Sequence, residues 1–290
     1  MIIIENDCQG NRTGGFFSKL LVVLDWIHNS IYTKESVYID WTCLDPKKNN
    51  VWELFFNQPN MVEGFPEKIT KLFHYRFYHH QHIYDKLEDI MGEDEFKFKY
   101  TNSSKIFSHP NFNNIRKEFN KAWKFIELKD TIKKGLEEYS EVGSSTLGVA
   151  VRPPLHYTYN EGGLLSHRVS PQQYYEDISN QIIEKYKLGN FKKIFIACDI
   201  QYFIDLMIQK VGDKNLIYTK YNRITHINDD WMSKNLPVES EYNLILRDSL
   251  LLSKCGHIMG GSSNIFLGVL YINPNLNFTI FNVIKDSYGG

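Results

Sequence analysis

Apolar positions in the second half of the chain follow two alternating rhythms. Leu147-Gly148-Val149-Ala150-Val151 is a run of small and β-branched residues and reads as a buried strand. It stops after Arg152, because Pro153 and Pro154 have no N–H to give a ladder. Helical spacing follows over residues 172–187, with Tyr175, Ile178, Ile182 and Tyr186 on one side. A strand over 194–198 runs out at Asp199, a helix covers 202–211, and a strand is expected at 215–219. After a polar loop come a helix over 241–254 and a strand over 257–259. That strand runs into Gly260-Gly261-Ser262-Ser263, ahead of a helix over 264–271 and a last strand over 278–281. Strands that alternate with helices predict a doubly wound parallel sheet.

The first half opens the same way. Residues 2–5 are a short apolar strand, Gly10 to Gly15 form a glycine-rich turn, and 16–32 carry helical spacing through Leu20, Leu21, Leu24, Ile27 and Ile31. A strand over 37–41 completes a βαβ unit. Residues 42–112 show no clean period. Trp52, Leu54, Phe55 and Phe56 are expected in the core, and the tyrosine- and histidine-rich run from His74 to His82 is expected on a helix lining a cleft. One long solvated helix is expected over 113–139. Glu141 to Thr146 then reads as a boundary, giving two domains, 1–145 and 146–290.

Composition narrows the function classes. The 290 residues are 42% hydrophobic and 14% aromatic, enough to fill the cores of two ordinary domains. A net charge of −1 gives no electrostatic case for nucleic acid or an anionic membrane. No apolar run approaches a membrane span, and Met1 to Asp7 lack the basic start of a signal peptide. Cys8, Cys43, Cys198 and Cys255 are scattered without a CxxC pair, which fits reduced thiols and a cytoplasmic protein.

The chemistry collects where strands end. In a parallel sheet the carboxyl ends share one edge, so Arg152, Asp199 and the Gly260–Ser263 turn should converge. The planar fork of Arg152 suits phosphate oxygens; a structural salt bridge is the other role open to it. Gly261, Ser262 and Ser263 open a helix, where free N–H groups, hydroxyls and the helix dipole favour an anion; a plain serine cap is the alternative. Asp199 can accept from a ribose or a base, or cap a helix. Asp248, a turn before Ser253, either reaches the same edge or is solvated. Asp229-Asp230 is adjacent rather than spaced as Asp-x-Asp, and no cysteine or carboxylate pattern completes the histidine run. No metal is therefore expected, a departing diphosphate being neutralised by Arg152 and the helix end.

These residues resemble a known family, the α-1,6-, nodulation-type and protein O-fucosyltransferases. Gly148-Val-Ala150-Val-Arg152-Pro153-Pro154 is similar to their first motif, with Ala150 and Pro153 in place of a histidine and a second arginine. Asn160-Glu161 through His167 and Pro171 resemble the loop that follows it. Ala197-Cys198-Asp199 looks like their second motif, and Asp248 to Ser253 with Ser262-Ser263 like their third. The Gly-rich turn and the 37–41 strand also look like the nodulation-type enzymes. The resemblance implies a GT-B-like α/β fold of two Rossmann-like domains facing a cleft. It implies an inverting, metal-independent fucosyltransferase that moves fucose from GDP-fucose to a glycan or other hydroxyl acceptor. Arg152 would hold the β-phosphate and Glu161 would be the general base. Asp199, Asp248, Ser253, Gly261, Ser262 and Ser263 would lie on the donor side. Gly14, Gly15 and His156 would lie on the acceptor side, with His156 the alternative base. Two other readings stay open. One is an NAD-type Rossmann oxidoreductase using the Gly10–Gly15 turn and Asp40; the other is a sugar-binding relative without turnover.

Overall fold

The structure is a computed structural model, and it describes residues 2–5, 15–44, 47, 49–59, 71–74, 106–107, 110–152, 171–225 and 237–281. The chain forms two compact units. The first holds residues 1–138 together with Pro237–Arg247 and Leu267–Pro274; the second holds the remainder.

In the first unit, β1 (Ile2–Glu5) lies between β2 (Val37–Asp40) and β3 (Lys71–His74), all parallel. Helix α1 (Phe16–Thr33) connects β1 to β2 and buries residues on most of its circumference. It ends where Lys34 turns left-handed (φ 60°) and its N–H closes on Ser30 C=O. The one-turn helix α2 (Trp52–Phe55) explains a difference from expectation. Trp52, Phe55 and Phe56 are buried at helical spacing, while Leu54, on the other face, is 37% exposed. Phe16 anchors this core, with its ring against those of Phe17, Trp41, Phe55, Phe56 and Tyr242.

The long helix expected over 113–139 is two helices, α3 (Phe112–Trp123) and α4 (Asp130–Glu137). Tertiary pairing breaks it. Asn57 N–H donates to Glu127 C=O and Lys129 N–H to Phe55 C=O, both at 2.9 Å, and Leu128 bridges Phe56 in antiparallel fashion. Backbone groups used in that pairing cannot also close helical turns.

The second unit is built on five parallel strands in the order β6-β5-β4-β7-β8. In chain order these are β4 (Thr146–Val151), β5 (Lys193–Cys198), β6 (Leu216–Ile217), β7 (His257–Gly260) and β8 (Asn277–Ile280). Along the chain, helices α5 (Pro171–Leu188), α6 (Gln201–Val211), α7 (Val238–Leu252) and α8 (Asn264–Ile272) alternate with these strands, Val238–Arg247 of α7 and Leu267–Ile272 of α8 being counted in the first unit. This is the doubly wound order, with its switch point between β4 and β7. All six residues of β4 are buried, as a central parallel strand requires. β6 is shorter than expected: Gly212 (φ 82°) and a 3₁₀ turn at Asp213–Asn215 delay its start to Leu216, and it ends at Ile217. Among the described residues no helix is long and apolar enough to cross a membrane.

Candidate functional site

Strand register builds the site. Val151 of β4 is level with Cys198 of β5, and Ala150 is level with Gly260 of β7. The next residues, Arg152, Asp199 and Gly261, therefore emerge together at the carboxyl edge, beside the switch point. Arg152 Nη1 donates to Asp199 Oδ2 at 3.0 Å, and the two side chains are 15% and 18% exposed. Arg152 C=O accepts from the Tyr174 hydroxyl of α5 at 3.3 Å. Arg152 Nε is buried and has no acceptor among the described residues. Both roles open to Arg152 thus meet in one side chain: it forms an ion pair and also holds an unused donor. Leaving a buried donor unsatisfied costs about 1–3 kcal/mol, which a ligand oxygen can recover.

Asp199 does not cap α6; that helix starts after Ile200 without a side-chain cap. Asp248 is buried at this edge rather than solvated, its Oδ1 accepting from Thr219 Oγ1 at 2.7 Å. Ser263 accepts from Phe266 N–H at 3.2 Å and so caps α8. Its own proton is left free of that bond, and the half-buried Ser262 stands beside it. Gly260 is needed for close approach. A Cβ there would lie 2.5 Å from the Phe266 ring and 3.0 Å from Ala150 C=O. Ser253 does not join this group. Its hydroxyl donates to Leu250 C=O at 2.8 Å, at the end of α7 that leads to the amino end of β7, the opposite edge of the sheet.

Three residues of this edge escape the sequence reading: Thr219, Tyr221 and Arg223. The Tyr221 hydroxyl donates to Cys198 C=O at 2.8 Å and lies 3.4 Å from Asp199 Oδ1. Burial, then the nearby carboxylates of Asp199 and Asp248, push its pKa well up, so the phenol stays a donor. Arg223 Nε–H donates to the same Cys198 carbonyl at 3.0 Å. The segment is docked as a sheet extension: Ile224 N–H bonds Asp199 C=O and Gln201 N–H bonds Ile224 C=O, each at 2.9 Å. The available signal was aromatic and arginine residues interleaved just past the end of a parallel strand.

Gly15 belongs to the first unit, as the N-cap of α1 with an ordinary φ of −68° and open space where a Cβ would stand. Asp40, the acid of the NAD reading, is committed to capping: its Oδ1 accepts from Thr42 N–H at 2.9 Å and from the Thr42 hydroxyl. Gly14, His156, Glu161, Asp229, Asp230 and residues 75–82 of the histidine run lie outside the described residues. Among the described residues no three histidine, cysteine or acidic side chains cluster as a metal would need.

No protein-family model matches the chain, and no curated protein matches it by sequence. Solved structures do match. The NodZ α-1,6-fucosyltransferase soaked with GDP-fucose aligns at a TM-score of 0.51 and 14% identity, over 97% of this chain and 95% of that one. The fucosyltransferase NodZ from Bradyrhizobium aligns at 0.50 and 15% identity, over 97% and 94%. POFUT1 in complex with GDP aligns at 0.51 and 10% identity, over 97% and 98%. At such identities the likeness is one of fold, and over nearly its whole length this chain has the α/β fold of these fucosyltransferases.

Proposed function

We propose that this chain is an inverting fucosyltransferase that takes fucose from GDP-fucose to a hydroxyl acceptor. One observation carries the reading: a half-paired arginine with a buried, unused donor stands at the switch point of a doubly wound sheet, beside a serine-capped helix start. Diphosphates bind at such a place. The shared fold with an enzyme whose structure was soaked with GDP-fucose supports the choice of donor.

In the transfer, the acceptor oxygen attacks the anomeric carbon of fucose, and the bond from that carbon to the β-phosphate oxygen breaks. GDP leaves with the electron pair. Arg152 neutralises the charge that develops on it, helped by Gly261, Ser262 and Ser263 at the positive end of α8. Asp199 orients Arg152, and Asp248 accepts hydrogen bonds from the nucleoside. Glu161 takes the acceptor proton, and no divalent metal takes part.

A thermal-shift panel of GDP-fucose, GDP, a UDP-sugar and NAD is the first test. GDP and GDP-fucose should raise the midpoint and the others should not. A response to NAD alone would sink the reading. GDP release with and without acceptor then separates the roles. Arg152→Ala should lower transfer and donor hydrolysis together, by about 10²–10³. Glu161→Gln should suppress transfer by about 10²–10⁴ while sparing hydrolysis. Transfer at the parent rate in Glu161→Gln would move the base elsewhere, His156 being next.

A further inference from the structure

One cation on this edge has no anion of its own among the described residues. Arg223 sits on the segment that leaves β6 and docks against the end of β5. Its Nε–H donates to Cys198 C=O at 3.0 Å and its Nη2–H to Thr219 C=O at 2.6 Å. Its guanidinium carbon stands 4.2 Å from the centre of the Tyr221 ring and 5.4 Å from that of Tyr218. These contacts fix the guanidinium without neutralising it, since carbonyls and rings are neutral acceptors. Among the described residues no carboxylate lies within ion-pair distance of Arg223, and its Nη1 has no hydrogen-bond partner. Asp199 and Asp248, the described carboxylates of this edge, are engaged elsewhere, Asp199 with Arg152 and Asp248 with Thr219.

An arginine left to solvent would keep its side-chain freedom. This one has lost most of it, and the charge it presents is uncompensated and pre-organised. It also faces the right edge. β6 and β4 flank β5, and strands about 4.8 Å apart put the strand feeding Arg223 roughly 10 Å from the one ending at Arg152. Two arginine side chains and one diphosphate span that gap.

We infer that Arg223 is a second anion anchor, which takes phosphate oxygens of a nucleotide diphosphate whose other oxygens meet Arg152. The identity of the nucleotide rests on the donor reading above; the anion site does not. Calorimetry on the full chain with inorganic pyrophosphate, GDP and guanosine tests it. Arg223→Gln should weaken pyrophosphate and GDP about tenfold to a hundredfold and leave guanosine unchanged. Arg223→Lys, which keeps the charge but not the fork, should lose less.

Unchanged pyrophosphate affinity in Arg223→Gln overturns the anchor. So does an equal loss for guanosine and GDP, which would place the arginine on the base, and so does a parent protein that binds no pyrophosphate. Should the glutamine variant not fold, phenylglyoxal labelling of the parent protein decides, read by peptide mass. Pyrophosphate should protect residue 223, and equal labelling with and without it overturns the proposal. The two readings fail separately. Pyrophosphate held through Arg223 with no response to GDP-fucose keeps the anchor and removes the donor. GDP-fucose bound equally by parent and Arg223→Gln does the reverse.

Discussion

Lys19 shows how far one residue's surroundings can move its chemistry. It lies near the start of α1 and is 5% exposed. Burial lowers its pKa to about 8, with the Glu241 carboxylate pulling partly back. The folded value lies below the unfolded 10.5, so between them the unfolded chain binds the extra proton. Stability should therefore rise as pH climbs from 8 to 10.5, with the full cost of the buried ammonium present below 8. Thermal midpoints across that range test this. Lys19→Met should flatten the rise, and an unchanged slope would show that the ammonium is not desolvated. Arg152 teaches a different lesson at the same scale. Its place at a strand end is legible in the two prolines after it, yet its pairing with Asp199 depends on register between strands. Ser263 likewise reads from sequence as either a cap or an anion donor, and the structure shows the cap bond with the hydroxyl proton to spare.

Elements are legible where one period runs long enough. The strands and helices of the second unit follow the pattern to within a few residues, because a parallel strand buried on both faces must be apolar throughout. Where an element is set by long-range pairing, the pattern misleads. α3 and α4 form one continuous helical pattern, and only the bonds to Phe55 and Asn57 divide them. The segment after β6 reads as polar loop, yet it docks on β5 through Tyr221, Arg223 and Ile224. The β7-to-α8 turn gives a prediction at this scale. Gly260→Ala would push its methyl into the Phe266 ring, displacing the first turn of α8. Overpacking of this kind costs about 1–3 kcal/mol. The variant should unfold at lower urea concentration and bind GDP more weakly. Parent-like values of both would mean that the turn has more room than its contacts indicate.

At the scale of the whole molecule, the proposed transfer draws the charge for diphosphate departure from within the second unit. Arg152 and the positive end of α8 stand at the switch point, and Arg223 lies on the same edge. Turnover of GDP-fucose should accordingly survive EDTA; activity lost to the chelator and restored by Mn²⁺ or Mg²⁺ would assign that charge to a metal. The alternation of strand and helix, the parallel sheet and its carboxyl edge are set by the sequence itself, because period and strand-ending residues are local properties. Tertiary structure alone decided who meets at that edge. Cys198 C=O gathers Tyr221 and Arg223 from another strand's loop, Thr219 reaches Asp248 of α7, and Ser253 falls on the far side. Those outcomes depend on strand order, register and competition for backbone hydrogen bonds, which join residues far apart in sequence and leave no local pattern.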